Sequence, residues 1–467
     1  MKLFLLKSFK GGLSDWENVG IEGAFKFGSN LDIHRNIDSL TSKQALVDDL
    51  AIGTMTALAK FIVSATDGNT YFFCSDGKIF KRTSAGVYSL VHTDADGAII
   101  GACEWSQNNS KSYLFWATST KLHSKEIPGV TNWSDADATI LGQTYPKTNL
   151  TASTWHTMKI INGVMLICNS DTLAMVSFDG SYTYNALQLI PGNKGKCLME
   201  NKGYACIGNT KTDLTNSAEL FVWDTSQSLS WNAKNTVPTN AINALINAEY
   251  PIMQVGTNGQ LVLADIYSYA IPITSFPGGG QVNPDAVDID EGLALFGSYG
   301  NGTGKSGVYS YGRKKKNANL SLNLEYALDC TEIGSIRKSG SDLFISYSTA
   351  LGYGVKKVSS TTKAIGTYES LDLKFPVGEK EPILNMIRLV TAPLPTGTSI
   401  ECYRKMDKSS TFVQCNLEGG DTSFDIVGGQ EAYFLVGDKG KVAEIKLVLN
   451  PSGNYAPEIY QAELHFD

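Results

Sequence analysis

The chain has 467 residues, 42% of them hydrophobic and 18% charged, with a net charge of −7 and a pI near 5.4. That balance describes a globular protein with a large core, and it excludes one that grips phosphate backbones, which needs clustered Lys and Arg. The 45 Gly stand beside 21 Tyr, 19 Phe and 7 Trp, turn formers with residues that favour pleated surfaces, which points to an all-β fold rich in hairpins.

The chain opens on a short apolar strand, Leu3 to Leu6, too brief for an export signal. Residues 9–48 then show neither helical nor alternating periodicity. Five glycines and scattered Asp, Asn and Ser predict an extended, irregular arm. A stretch of that length inside a compact chain carries a function or docks on something. Its apolar anchors are Phe9, Trp16, Phe25, Phe27 and Leu31. Residues 42–51 (SKQALVDDLA) and 240–248 (NAINALINA) are the helix-like runs. Neither recurs between strands, which argues against a parallel-sheet enzyme fold.

From residue 53 a repeat begins: YFFC (71–74), YLFWAT (113–118), VMLICN (164–169), YACIGN (204–209), PIMQVG (251–256), LALFGS (293–298) and DLFISY (342–347). Each is followed by a second strand, from GKIFKRTS to GVKKVSST. A period of about 45 residues with four short strands per unit is the pattern of β-propeller blades. About seven blades fit. Asp67-Gly68, Asp76-Gly77, Asp96-Gly97, Asn162-Gly163, Asp179-Gly180 and Asn258-Gly259 lie between the strands and predict type I′ hairpins. After Phe375-Pro376 the rhythm changes to longer alternating runs that suit a β-sandwich. The expected organisation is an N-terminal strand and arm over 1–52, a propeller over 53–376 and a C-terminal β-sandwich over 377–467.

The chemistry-bearing motifs are weak. GNGTGKSG (300–307) looks like a phosphate loop, but the required glycine at 299 is Tyr299, and a strand rather than a helix follows. The basic run Arg313 to Lys316 reads as a solvated loop. SATDGNTYFF (64–73) misses the spacing of a sialidase Asp-box, and VWD (222–224) occurs once. Acidic groups at Asp135 and Asp137, and at Asp285, Asp288, Asp290 and Glu291, miss the register of a calcium loop. The five histidines stand far apart in sequence and none pairs at metal-site spacing, Trp155-His156 reads as core packing, and the eight cysteines contain no CxxC pair. FPGGGQVNP (276–284) is either an inter-blade connector or a close backbone approach to a ligand or partner. No catalytic, cofactor or metal residue is assigned, and no run reaches the length of a membrane span.

The arm carries F-x-GG at Phe9, Gly11 and Gly12, an acidic-polar run over 15–18, Gly23-Ala24-Phe25, Asn30-Leu31-Asp32-Ile33 and Asp38-Ser39-Leu40-Thr41. This order resembles the start of β-propeller structural proteins of tailed-bacteriophage virions. KTNLT (147–151), WHTMK (155–159), LIPGN (189–193), FPGGGQVNP and YGNGTGK (299–305) are similar to stretches in a gut-phage group of these proteins. The resemblance covers most of the chain. It implies a non-enzymatic virion component with no cofactor, made in the host cytoplasm. It implies a nozzle-like tail or neck ring, sixfold in related propellers, contacting other tail or neck proteins around a channel through which DNA passes, with the arm between subunits. An acidic protein fits a channel that must not bind DNA. The alternative is a receptor- or carbohydrate-binding propeller at the tail tip, where Trp and Tyr would stack on sugars. A polysaccharide-cleaving enzyme would need a carboxylate pair whose separation sequence cannot supply.

Overall fold

The computed structural model describes residues 2–14, 22–35, 38–106, 111–128, 133, 138–212, 217–226, 230–265, 270–375 and 381–467. Among the described residues there is no helix. The first strands are β1 (Lys2–Leu6), β2 (Gly12–Leu13), β3 (Ala24–Ser29) and β4 (Gln44–Met55). Small antiparallel sheets then follow over 59–93, 101–127, 158–188, 193–237, 242–275, 281–327 and 332–363. Among the described residues each contributes four consecutive strands, except that the second has three and the last takes β4 as its fourth; the four over 281–327 continue through β3 into a C-terminal sheet.

The first strands of these sheets are Ala59–Ser64, Gly101–Ser106, Met158–Ile161, Asn193–Asn201, Ile242–Asn247, Gln281–Asp290 and Glu332–Ser339. They pack on one another in that order, and the last returns to the first. A closed ring of small sheets is a β-propeller. The repeat in the sequence is the second strand of each sheet. Phe72, Leu114, Met165, Ala205, Met253, Ala294 and Leu343 occupy equivalent places and all are buried. These strands are mostly apolar because both faces are covered; Thr70–Cys74 and Ser112–Ala117 are buried at every residue.

Turn chemistry departs from expectation in an instructive way. Both residues of Asn162-Gly163 have positive φ (52° and 79°), as a type I′ turn requires. In Asp67-Gly68, Asp76-Gly77, Asp96-Gly97 and Asp179-Gly180 only the glycine does. Its N–H bonds the carbonyl three residues back, as from Gly68 to Ala65 and Gly180 to Ser177. That geometry is a type I turn followed by a left-handed glycine. Aspartate fits the preceding position because its carboxylate accepts the N–H two residues on, as Asp67 does from Asn69 at 3.0 Å.

The two helix-like runs are strands. Residues 44–55 form β4 and 242–247 the first strand of its sheet. Tertiary pairing overrides a weak local preference in both. Strand β4 pairs antiparallel with Gly352–Lys363 and so closes the ring with an N-terminal strand. Asp49 on β4 locks the closure. Its carboxylate takes Arg82 Nε at 2.6 Å and Nη2 at 3.0 Å, Tyr88 Oη at 2.7 Å and Lys357 Nζ at 3.1 Å, joining the first sheet to the last.

Beyond the ring, the C-terminal chain builds two sheets around one core. In one, β1 pairs with Ile459–Phe466, which pairs with Ile383–Thr391 and then Glu431–Lys439. In the other, Val442–Asn450 lies between Ser399–Met406 and Gly366–Ser370. The latter strand pairs with β3, which also bridges to the sheet over 281–327. The stretch 9–48 is therefore not wholly irregular: β2, β3 and the start of β4 lie within it.

Candidate functional site

Five of the first strands line an axial cavity of about 380 Å³, with Lys159, Glu200, Asn247, Asp285, Asp288 and Arg337 among its walls. Asp285 and Arg337 are its best-ordered pair. Arg337 Nη2 meets Asp285 Oδ1 at 3.0 Å and its Nε donates to the Ile62 carbonyl at 2.9 Å. Asp285 Oδ2 accepts from Ser335 Oγ at 2.6 Å and from the Ile62 N–H at 3.2 Å. One carboxylate thereby joins three successive sheets. Burial pushes the Asp285 carboxyl above its ordinary value, against the pull of Arg337. The nearby Cys103 thiol is pushed up to about 12 by burial, so it stays protonated and is a poor nucleophile.

One mouth of the ring is formed by the opening residues of the first strands. Trp155 lies there between two cations, Lys60 Nζ at 5.5 Å and Lys196 Nζ at 5.9 Å from its ring centroid. Lys60 pairs with Glu332, to which Asn283 Nδ2 donates at 2.8 Å. Lys196 donates to Asn243 Oδ1 at 2.7 Å, and burial lowers its pKa. The mouth presents an aromatic face with amide and ammonium groups around it, which suits binding of a polar ligand. Its partner His156 is fully buried, its ring nitrogens 2.7 Å and 3.1 Å from the Cys168 and Ser119 carbonyls, and burial lowers its pKa. It packs as the sequence indicates.

The remaining motifs resolve as structure. Tyr299 ends the strand Leu293–Tyr299, and Gly300 through Ser306 form a turn-rich loop, followed by the strand Gly307–Gly312. Asn301 in that loop donates to the Gly279 carbonyl at 2.5 Å, and a Cβ on Gly280 (φ 110°) would lie 2.5 Å from its side chain. The two glycine-rich loops thus fit against each other, and Phe276 between them stacks on Tyr309 at 4.6 Å. In the basic run, Arg313 and Lys314 pair with Glu249 and Glu291. Asp290 pairs with Lys338 at 2.9 Å, and Asp288 accepts the Lys338 N–H. Asp135 and Asp137 lie outside the described residues.

Of the expected arm anchors, Phe9, Phe25 and Leu31 are 0% exposed and belong to the C-terminal core, the two rings each 5.5 Å from Tyr368. Phe27 packs against the propeller core instead. Trp16 lies outside the described residues. The anchors are thus held within their own chain. Sequence reasoning missed the polar half of this attachment. His34 Nε2 lies 3.0 Å from Ser310 Oγ, which donates to Glu325 Oε1 at 2.8 Å, while Lys43 Nζ meets Glu325 Oε2 at 2.6 Å. Burial works to lower the Lys43 pKa, but Glu325, Tyr326 and Asp32 outweigh it and hold it above its ordinary value. Burial alone would raise Glu325; Lys43 and His34 hold it below. The His34, Ser310 and Glu325 side chains are buried, and this serine–histidine–glutamate set anchors the arm.

No family model and no curated protein matches the chain. Among solved structures, the WD40 β-propeller domain of Doa1 is similar over 66% of this chain and 96% of its own, at 14% identity and a TM-score of 0.48. The WD40 repeats of RRP9 are similar over 68% and 99%, at 13% identity and 0.47. The propeller domain of Cps50 (Swd1) from Myceliophteria thermophila is similar over 65% and 98%, at 10% identity and 0.46. At these scores the likeness carries no argument about function.

Proposed function

We propose that the protein is a non-enzymatic structural subunit of a tailed-phage virion, a tail or neck ring component. In this reading it is a seven-bladed propeller joined to a C-terminal β-sandwich. The observation that carries it is the path of the N-terminal segment, whose sequence resembles virion propellers. Strand β1 edges the C-terminal sheet, β3 bridges that unit to the propeller, and β4 closes the ring. Stitching both bodies with one strap makes a rigid unit, which suits a part that bears load in a particle. The axial cavity is far too small for a DNA duplex, so the DNA channel is the space enclosed by neighbouring subunits. Burial of Phe9, Phe25 and Leu31 moves the subunit contacts from these anchors to outer surfaces. Mass photometry and electron microscopy of the purified protein should give a ring, and virion proteomics should find the chain in the tail. A monomer absent from virions refutes the proposal.

A second reading, a carbohydrate-binding propeller at the tail tip, is favoured by Trp155 with Lys60 and Lys196 at the mouth of the ring. An anionic glycan would stack on the indole and meet the ammonium groups. A glycan array with wild type and Trp155→Ala separates the readings: binding lost in the variant supports the second, and no binding by either refutes it.

A further inference from the structure

The fold brings together two histidines that are far apart in sequence. His92 ends the fourth strand of the first sheet (Tyr88–Thr93), Asp94 and Asp96 lie in the turn that follows, and His123 is on the third strand of the next sheet (Leu122–Ile127). His123 Nε2 lies 3.5 Å from Asp94 Oδ2 and 3.4 Å from Asp96 Oδ2, and His92 Nε2 lies 4.0 Å from Asp94 Oδ2. One ligand atom each from Asp94, Asp96 and His123 falls within 4.8 Å of the others. His92, Asp94 and His123 are all more than nine-tenths buried.

The distances are informative. A charge-assisted hydrogen bond between imidazolium and carboxylate closes to roughly 2.7–2.9 Å, whereas these approaches are longer. A tetrahedral ion with bonds of about 2.0–2.1 Å holds its ligand atoms about 3.3–3.4 Å apart, close to the two short separations. The surroundings fix the ligands in place. Trp116 stacks on the His123 ring with centroids 5.3 Å apart and 7° between planes, and its Nε1 donates to Asp94 Oδ2 at 2.6 Å. Asp94 Oδ1 accepts the Asp96 N–H at 2.8 Å. Lys121 Nζ lies 2.7 Å from Asp96 Oδ1 and 2.9 Å from Oδ2. Such outer partners orient ligands and tune affinity at metal sites. Lys121 can keep Oδ1 while Oδ2 turns to the ion.

We propose that Asp94, Asp96 and His123 bind a divalent transition-metal ion of the zinc class between the first two propeller sheets, with His92 beside Asp94 as an outer partner and the fourth position left to solvent. Mixed imidazole and carboxylate donors select zinc, cobalt or nickel over magnesium and calcium, which take oxygen ligands in larger number. Sequence spacing hides the site because the second histidine comes from the neighbouring sheet.

The test is titration of tag-free, chelator-treated full-length protein with cobalt(II), read by its visible absorption, and with zinc, read by calorimetry and thermal unfolding. One equivalent of cobalt should give the strong bands of a tetrahedral centre, and zinc should raise the unfolding midpoint. His123→Gln should abolish the bands. Asp96→Asn, on a half-exposed turn and remote from the core, should weaken zinc at least tenfold while leaving circular dichroism unchanged. Failure of wild type to bind either ion saturably overturns the proposal. So does binding by folded Asp96→Asn and His123→Gln proteins with wild-type affinity and spectrum; in both cases the cluster is an ion-pair network only.

Discussion

Asp49 should control whether the propeller ring stays shut. Its side chain and that of Arg82 are 5% and 7% exposed, and the arginine stacks 4.7 Å above the Phe344 ring. Asp49→Ala leaves a buried guanidinium with only the more distant Asp342, 4.0 Å away, as counter-charge, and removes the acceptor for Tyr88 and Lys357. Breaking a buried pair on one side costs about 3–5 kcal/mol. A central value near 4 kcal/mol is about a thousandfold in an equilibrium. Because the damage is at one joint, local opening is the right readout. Amide exchange across 44–55 and 352–363 should speed up by about that factor, while exchange in the sheet over 193–237 stays unchanged. Arg82→Leu combined with Asp49→Leu should recover much of the protection, since an apolar replacement of both partners removes the orphaned charge. The carboxylate is held below its ordinary pKa by Arg82, Tyr88 and Lys357 despite burial. Its contribution is thus present above the unfolded value and fades as pH falls through the lowered folded value, so wild-type protection at the joint should collapse in acid and the Asp49→Ala profile should be flatter. Unchanged exchange at 44–55 in Asp49→Ala would refute the reasoning.

Four further outcomes follow, three from the packing of the N-terminal segment and one from the fit of the glycine-rich loops. Lys43→Met should destabilise by about 3–5 kcal/mol in urea unfolding, because Glu325 is left buried beside a neutral side chain, and Lys43→Met with Glu325→Leu should recover most of it. Since Lys43 and His34 hold Glu325 below its ordinary pKa, the acid limb of stability in wild type should be steeper than in Glu325→Gln. Phe9→Ala should cost about 3–5 kcal/mol, read as a lower urea midpoint, since Phe9 fills the C-terminal core against Tyr368. Gly280→Ala should cost about 1–3 kcal/mol through its left-handed φ and the clash with Asn301, seen as a lower midpoint with the fold retained.

The architecture was legible where the physics is local or periodic. Strands covered on both faces must be mostly apolar, so YFFC, YLFWAT and their successors marked the second strand of every sheet. The C-terminal runs such as VAEIKLVL alternate because one face is covered, and they form strands. What stayed hidden depends on residues far apart in the chain. QALVDDLA has helical character alone, and only pairing with Gly352–Lys363, about 300 residues on, makes it a strand. The mouth draws Lys60, Lys196, Asn243 and Glu332 from four separate sheets and Trp155 from the connection before a fifth, so no local motif exists to find. The arm deceived for a related reason. It lacks periodicity because it changes surroundings every few residues, passing from the C-terminal core at Phe25 to the propeller core at Phe27.

This wiring has a consequence for how the chain can fold. A ring whose last sheet needs β4 cannot close until residues 332–363 exist, and the C-terminal core needs both Phe9 and Phe466. Chain closure over such separations is entropically slow, and the earlier sheets wait with open edges. A chain truncated after residue 330 retains β4 but offers it no partner and leaves the first sheet's Arg82 without Asp342 and Phe344 of the last sheet. Such a fragment should aggregate or bind hydrophobic dye during expression. Adding back a separate piece spanning 331–467 should rescue it by pairing with β4, as gel filtration of the reconstituted complex would show. A soluble, monomeric 1–330 fragment with a protected 44–55 segment would mean that β4 has another place to pair, and that ring closure is not what holds the N-terminal segment in position.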